Sequence, residues 1–178
     1  LAGLGAREEL QLDGATATAA GLERLKPLKS LRRLKLCWAG PGLAHLKALP
    51  RLHTLEICEA DSDLTQLKAL TQLRALFIRG SKVTDGVVEY LKDMTKLETL
   101  DLFGTAVRPA APGFARLKSL TGLRTLRLGR TKLGDAGLAH IKGLTELRSL
   151  ALDETKVTDA GLAHLRGLSG LRELSLWD

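Results

Sequence analysis

The chain repeats one sequence frame along its whole length, with a period of 21 to 26 residues. Residues 147–168 (LRSLALDETKVTDAGLAHLRGL) match residues 123–144 (LRTLRLGRTKLGDAGLAHIKGL) almost letter for letter. The shared frame is L-x-x-L-x-L, followed by a turn and an apolar segment, and it can be traced eight times. A copy this short cannot bury its own apolar face, so the copies must stack on one another into an elongated array.

The leucines of the frame predict one strand per copy. They alternate with other residues at a period of two, which directs the leucines to one face of a sheet and their neighbours to the other. The predicted inward pairs are Leu10/Leu12, Leu34/Leu36, Leu55/Ile57, Leu76/Ile78, Leu100/Leu102, Leu126/Leu128, Leu150/Leu152 and Leu174/Leu176.

The second half of each copy predicts a short helix. Apolar residues recur three apart, as in Leu138, Ile141 and Leu144, which places them on one helix face. The two 21-residue copies have the least room, so we expect single-turn or 3₁₀ segments near 43–47 and 63–68. Gly134-Asp135 and Thr158-Asp159 mark helix starts, because short oxygen-bearing side chains bond the free N–H groups of a first turn.

These patterns predict an α/β fold, a right-handed solenoid with a parallel concave sheet of about eight strands and convex helices. We interpret residues 1–178 as a single repeat domain, because no linker or low-complexity stretch divides them. Residues 1–12 align with 165–176, and neither end carries a polar capping motif. We therefore expect a segment of a longer array or of a larger protein. Two extra residues within 108–112 predict a small convex bulge.

The frame and the segment VTDAGLAHLRGL (157–168) resemble leucine-rich repeat proteins, and the resemblance covers the whole chain. The second half of each copy is similar to long bacterial arrays and to the cysteine-containing repeats of F-box-type substrate receptors. The resemblance implies a curved sheet that docks another protein and has no chemistry of its own.

One position departs from the pattern of that family. Where Asn or Cys is usual, this chain has Ala15, Ala39, Ala60, Ser81, Thr105, Thr131 and Thr155. The hydroxyl-bearing residues predict a ladder of hydrogen bonds, which the three alanines cannot extend.

The sequence lacks the motifs that catalysis, a metal site or a membrane span would need. No apolar run approaches 18 residues and no signal peptide is recognisable. His45, His140 and His164 occupy one helix position in three copies, and no histidine belongs to a cluster with metal-ligand spacing. No nucleophile, phosphate-loop or dinucleotide motif is present. We therefore expect a non-enzymatic protein without a cofactor, a metal or catalytic residues.

The two cysteines, Cys37 and Cys58, occupy the same outward strand position in adjacent copies. Neighbouring parallel strands bring their Cα atoms within disulfide range but hold the sulfurs in poor geometry, so free thiols are expected. The sequence has no flanking cysteine cap of the kind that many secreted repeat proteins use, which slightly favours a reducing compartment such as the cytoplasm.

The outward strand positions carry the candidate binding surface, because the repeat frame does not dictate them. Four of the six aromatic residues, Trp38, Phe77, Phe103 and Trp177, fall at such positions. Exposed aromatic residues beside arginines are typical of binding hot spots. The alternative is that the rings only stack on neighbouring strands. We predict that a protein or peptide partner binds at Trp38, Phe77, Arg79, Asp101, Phe103, Arg127 and Arg130.

The distribution of charge separates the classes of partner. The chain has a net charge of +7, yet nine acidic and five basic side chains stand at the outward strand positions. The positive excess therefore lies on the rim of the sheet and on the convex surface. This disfavours nucleic acid in the hollow and favours a protein or peptide of mixed or basic character.

A basic residue recurs at one position in the second half of the copies, as Lys26, Lys47, Lys68, Lys92, Lys118, Lys142 and Arg166. We favour the interpretation that these cations complement the C-terminal ends of the convex helices. One alternative is a track along the convex face for nucleic acid or an anionic surface. Another is a structural spacer that has no ligand.

Overall fold

The computed structural model describes residues 6–12, 18–37, 41–59, 64–80, 82–108 and 112–177, and within these ranges it contains one sheet of eight strands. The strands follow one another in chain order and every neighbouring pair is parallel. They are β1 (Glu9–Leu12), β2 (Arg33–Cys37), β3 (Thr54–Cys58), β4 (Ala75–Arg79), β5 (Thr99–Asp101), β6 (Thr125–Arg127), β7 (Ser149–Ala151) and β8 (Glu173–Ser175).

The register of the sheet confirms the first leucine of every predicted pair. In the last four repeats the second leucine directly follows the strand, as Leu102, Leu128, Leu152 and Leu176. Leu34 pairs with Leu10 and Leu55, and the same column continues through Leu76, Leu100, Leu126, Leu150 and Leu174. Each repeat therefore makes one lap of the solenoid. Equivalent side chains consequently form straight columns across the strands, about 4.8 Å apart.

The segments that connect the strands contain short helices on the other side of the core. Four are α-helical and four are 3₁₀ among the described residues: α1 (Ala19–Glu23), η1 (Leu43–Ala48), η2 (Thr65–Ala69), α2 (Gly86–Leu91), η3 (Pro112–Ser119), α3 (Asp135–Leu138), α4 (Asp159–Leu162) and η4 (Ala163–Gly167). The expected 3₁₀ segments of the two short repeats are confirmed by η1 and η2. None of these helices is long and apolar enough to cross a bilayer.

Two longer repeats also use the 3₁₀ helix, in η3 and η4, which we did not expect. The spacing of their apolar residues allows this helix type, although the same spacing also occurs in the α-helical repeats. Phe114, Leu117 and Leu120 recur every third residue, and three residues make one turn of a 3₁₀ helix. Of the predicted convex bulge at 108–112, residues 109–111 lie outside the described part of the chain.

The core is one continuous layer of leucines between the sheet and the helices. Leu100 and Leu102 of the central repeat are fully buried, as are Leu117 and Leu120 opposite them. Burial falls towards the C-terminal edge, where Leu174 and Leu176 are each 43% exposed. Because each repeat buries its leucines against its neighbours, stacking supplies most of the stability of the array.

Aspartates link neighbouring repeats on the helical side. Asp135, the first residue of α3, accepts hydrogen bonds from the backbone N–H of Thr158 at 2.8 Å and from its hydroxyl at 2.7 Å. Asp85 plays the same role two repeats earlier, where it accepts the backbone N–H and the Nε of Arg108. The two hydrogen bonds from Thr158 hold the pKa of Asp135 below its ordinary value, and the bond from the backbone N–H is the main cause.

These contacts correct one expectation about the helix starts. The helices α3 and α4 do begin at Asp135 and Asp159, as predicted. However, Gly134 has no side chain that could cap α3, and the side chain of Thr158 does not bond the first turn of α4. The oxygens at these starts join one repeat to the next, which contributes to stacking instead of helix capping.

The threonines that replace the usual Asn or Cys bond within their own repeats. Thr105, Thr131 and Thr155 donate to the carbonyls of Leu102, Leu128 and Leu152 at 2.6–2.7 Å. The prediction of a ladder between repeats was therefore wrong for the threonines, because each hydroxyl donates to the backbone carbonyl three residues earlier in its own repeat. Ala15, Ala39, Ala60 and Ser81 lie outside the described residues.

Candidate protein-binding surface

The face of the sheet that points away from the core carries the predicted site. Along this concave face, the pairing of β4, β5 and β6 places Phe77, Asp101 and Arg127 side by side in one column. Phe103 and Arg130 follow strands β5 and β6 in the adjoining turns. Trp38 lies outside the described residues, so six of the seven predicted positions can be located.

Asp101 is the centre of this group, and its side chain is only 1% exposed. Its Oδ1 accepts the backbone N–H of Phe103 at 2.9 Å. Its Oδ2 lies 3.3 Å from Arg79 Nη2 and 3.8 Å from Arg127 Nη1. A buried carboxylate needs such compensation, because leaving it unpaired would cost several kcal/mol. The acid that we expected on the surface is therefore enclosed by its neighbours.

The two arginines beside Asp101 remain open to solvent. The side chains of Arg79 and Arg127 are 49% and 50% exposed, although each lies against the same carboxylate oxygen. A guanidinium has five N–H donors. Asp101 uses few of these donors, so it holds both arginines in place while leaving most of their N–H groups available to a ligand.

Phe103 packs against the following repeat. The guanidinium carbon of Arg130 lies 5.4 Å from the centre of the Phe103 ring, within the range of a cation–π contact. The ring also covers Gly129, where an added Cβ would stand 2.9 Å from Phe103 Cδ2. Part of the Phe103 ring therefore packs against neighbouring residues, as expected from the alternative that the rings stack on neighbouring strands. Phe103 and Phe77 are both half-buried.

Arg130 is held in a strained backbone conformation. Its φ is +54°, and Glu154, at the same position in the next repeat, has a φ of +53°. Residues other than glycine rarely adopt this left-handed region. The two side chains nevertheless bond each other, with 2.7 Å between Arg130 Nε and Glu154 Oε1.

An open depression of ≈ 740 Å³ continues from the Asp101 group towards β8. Four predicted residues, Arg79, Asp101, Phe103 and Arg127, line one side. The rest of the lining comes from the last two strands and their ends: Ser149, Leu150, Ala151, Asp153, Arg172, Glu173, Leu174 and Ser175. We call this depression the hollow. Phe77 and Arg130 lie outside its lining.

We did not predict that β7 and β8 line the site. The signal was present in the column that holds Arg127, because Ala151 and Ser175 follow it in the next two repeats. Small side chains in line with a large one leave space above the sheet. Asp153 borders this space, and its pKa is lowered mainly by a hydrogen bond from the Ser175 hydroxyl, with a further bond from the Trp177 N–H at 3.0 Å.

The N-terminal half of the concave face differs from the hollow in its charge pairing. Arg33 lies 3.4 Å from Glu9, and Lys35 lies 3.6 Å from Glu56. Cys37 and Cys58 are register partners on β2 and β3 and are not joined in a disulfide. Opposite charges on adjacent strands neutralise each other here, so this half offers a partner less uncompensated charge.

The convex stripe consists of separate exposed cations. Lys26 pairs with Glu23 at 2.8 Å, and the other six basic residues of the stripe are exposed. The histidines belong to no cluster: within the described ranges, no three His, Cys, Asp or Glu side chains come together as metal ligands would. His140 instead packs edge-on against the ring of Phe114, with 6.4 Å between ring centres.

The geometry defines a leucine-rich repeat solenoid, and comparison with solved structures agrees. An internalin, InlF, from Listeria monocytogenes superimposes with a TM-score of 0.60 at 23% identity, over 88% of this chain and 51% of its own. Internalin C2 from the same organism gives 0.63 at 22% identity, over 95% of this chain and 80% of its own.

The structure of a TLR13–ssRNA13 complex gives a TM-score of 0.75 at 22% identity. That match covers 97% of this chain but only 26% of the receptor, so the chain spans about a quarter of that protein and about half of InlF. No protein-family model and no curated protein match the sequence. At these identities the comparisons establish the fold of the chain.

Proposed function

We propose that this chain is a protein-interaction module that binds a protein or peptide segment in the hollow, with no catalytic chemistry of its own. The proposal is based mainly on the group formed by Asp101, Arg79 and Arg127. A buried acid holds two half-exposed arginines, Arg79 and Arg127, at the edge of an open depression. Groups that are ordered before binding lose little conformational freedom when a partner arrives.

The arrangement supports a partner of mixed charge. Because Asp101 is enclosed, the groups presented at this end of the hollow are the guanidinium N–H donors of Arg79 and Arg127. They suit a carboxylate of the partner, which a guanidinium can bind through two parallel hydrogen bonds. At the opposite end, Glu173 is exposed and can face a basic side chain.

Apolar contacts would add to these charge pairs. Phe77 stands beside Asp101 in the same column and is half-buried, so part of its ring is available. Ala151 and Ser175 provide a floor of small side chains on which a partner backbone can lie close to the sheet. We therefore expect an extended segment with an acidic residue near Arg79 and Arg127 and an apolar residue near Phe77.

A peptide selection tests this proposal. A random peptide library is selected on the immobilised chain, and enriched peptides are then measured against the double variant Arg79→Gln/Arg127→Gln. The matched control is Arg124→Gln/Arg148→Gln, which removes the same charge from exposed positions outside the hollow. We expect every enriched peptide to carry an acidic residue and to bind the first variant at least about tenfold more weakly than the control, since each charged hydrogen bond is worth about 1.5–3 kcal/mol.

A second variant keeps the test informative if the first variant misfolds. Ala151→Trp fills the hollow from β7 and leaves Asp101 and both arginines unsubstituted, and the thermal midpoint shows whether each variant is folded. Peptides that bind all the variants as tightly as the original chain would place the binding site elsewhere. A selection that enriches no peptide would contradict the proposal as well.

A further inference from the structure

A second feature lies on the edge of the sheet, where the chain enters each strand. The residues immediately before the strands form a column, which we call the rim: Glu8, Arg32, His53, Arg74, Glu98, Arg124, Arg148 and Arg172. Backbone hydrogen bonds join them in sequence, for example from His53 N–H to the Arg32 carbonyl at 3.1 Å and from Arg74 N–H to the His53 carbonyl at 2.8 Å. Consecutive rim residues are therefore about 4.8 Å apart.

A pocket of ≈ 360 Å³ opens on the N-terminal half of the rim. Its polar lining consists of Arg32, Arg51, His53, Gln72, Arg74 and Lys96, and its apolar lining of Pro50 and Leu52. No carboxylate is among these lining residues. Four permanent cations and a histidine thus surround one depression, and their summed positive potential attracts an anion to it.

Neighbouring acids neutralise only half of this charge. Glu8 lies 3.2 Å from Arg32, and Glu98 lies 2.8 Å from Arg74, and neither acid lines the pocket. Arg51 and Lys96 are exposed, and among the described contacts neither forms an ion pair. Two positive charges are therefore left over, which matches the charge of a phosphate monoester near neutral pH.

The donors suit the geometry of a phosphate as well as its charge. The guanidinium groups of Arg32, Arg51 and Arg74 can each give two parallel N–H bonds to phosphate oxygens. The Lys96 amine adds a point charge. His53 uses Nδ1 in its contact with the Thr54 hydroxyl at 3.1 Å, so its Nε2 is not engaged by that contact.

The structure assigns this pocket, which we call the rim pocket, as a binding site for a phosphate group, either a phosphate monoester or free phosphate. The rim does not favour a long polyanion, because Glu98 stands between Arg74 and Arg124 and pairs with both, at 2.8 and 3.5 Å. The group can be carried by a phosphorylated side chain of a protein or arrive as free phosphate. The site is separate from the hollow, so this inference does not rest on the proposed function.

Titration with inorganic phosphate, followed by the imidazole NMR signals, tests the site. The chain has four histidines, and His53 alone lines the rim pocket. We expect the His53 signals to shift in saturable fashion while those of His45, His140 and His164 stay in place. Sulfate and chloride at equal ionic strength control for screening. The absence of a saturable His53 shift at millimolar phosphate would overturn the inference.

Two double variants show whether the pocket or the overall charge is responsible. Arg51→Gln/Lys96→Gln removes the two unpaired cations of the rim pocket, and we expect about tenfold weaker phosphate binding. Arg148→Gln/Arg166→Gln removes the same charge from exposed positions outside both the rim pocket and the hollow, and we expect no change. All four residues are exposed, so folding should be unaffected. Equal weakening in both variants would show a general charge effect and refute the site.

A pair of peptides distinguishes the two sources of the group. A phosphoserine peptide that binds at least tenfold more tightly than inorganic phosphate, while its unphosphorylated form does not bind, would support a phosphorylated protein as the ligand. Equal affinity for the peptide and for inorganic phosphate would support the site with free phosphate as its ligand.

Discussion

The carboxylate of Asp101 accepts the backbone N–H of Phe103 at 2.9 Å, so an acid of the concave face is tied to the turn that follows its own strand. Its second oxygen faces Arg79 and Arg127 from the neighbouring strands. One buried carboxylate therefore fixes both the course of the backbone after β5 and the position of the two cations that a partner would meet.

Replacement of Asp101 separates these two roles. Asp101→Asn keeps an acceptor for the Phe103 N–H but loses the charge, and we expect it to cost about 1 kcal/mol of unfolding free energy. Asp101→Ala leaves the N–H without a partner and the arginines without a counter-charge, and we expect about 2–3 kcal/mol. Urea denaturation measures both values. Equal, small losses in the two variants would mean that the carboxylate does not organise the turn.

The aromatic residues differ in how much of their role is packing. Leu100→Ala empties a fully buried core position, and we expect it to cost about 2–5 kcal/mol. Phe77 is only half-buried, so Phe77→Ala should cost less than about 1.5 kcal/mol while weakening peptide binding in the hollow. Phe103→Ala should fall between them, because its ring covers Gly129 and meets Arg130. Thermal melting and peptide affinity, measured together, give the order. If Phe77→Ala melts as early as Leu100→Ala, the ring is part of the core and not of the binding surface.

A glycine in α4 is required by the aspartate link between repeats. A Cβ at Gly161 would stand 2.3 Å from Asp135 Oδ1, so Gly161→Ala must displace the carboxylate that Thr158 bonds. We expect a loss of about 1–3 kcal/mol. Gly143→Ala is the matched control, because an added Cβ there meets nothing within 4 Å, and its effect should stay within about 0.5 kcal/mol. Similar stability of the two variants in urea would show that the link tolerates crowding.

The same link predicts a dependence of stability on pH. Hydrogen bonds from Thr158 lower the pKa of Asp135 in the folded chain. A group whose folded-state pKa is the lower one stabilises the fold fully above its unfolded pKa, roughly 4, and this contribution is lost as the pH falls through the folded value. Asp135→Asn should therefore be less stable than the original chain at pH 7, and the gap should narrow below about pH 4. Asp159→Asn, at the equivalent position in α4, is the control. A gap that stays constant down to pH 3 would exclude the charged form of Asp135 as the stabilising species.

The fold was predictable because one physical rule governs it. Each copy places two leucines on one face of a strand and three more at every third position, so stacking is the only way to bury them. Alternation and period therefore identified every strand pair from Leu10 to Leu174 in the observed register. The helices were less predictable, since residues three apart suit both α and 3₁₀ helices, and tertiary packing decides between them.

The details of the site depend on contacts that a strand pattern does not contain. Asp101 occupies an outward position, where a carboxylate is normally solvated, and its burial results from the Phe103 N–H and from two arginines in other repeats. Once the register is known, Arg79 and Arg127 on the flanking strands are a signal for this enclosure. The bond from Thr158 to Asp135 likewise joins residues 23 apart, and no local capping rule anticipates it.

The hollow and the convex stripe should respond differently to salt. Binding along a track of cations releases many counterions, so it should weaken steeply between about 50 and 200 mM salt. A peptide held by two arginines and an apolar contact should lose only a few-fold in affinity over that range, because few charges are involved. Fluorescence anisotropy of a labelled peptide from the selection measures this. The triple variant Lys47→Gln/Lys68→Gln/Lys142→Gln removes three exposed cations of the stripe and should leave the peptide affinity unchanged. A steep salt dependence together with weaker binding by this variant would indicate that the binding site lies on the convex face, because only a polyanion site there predicts both results.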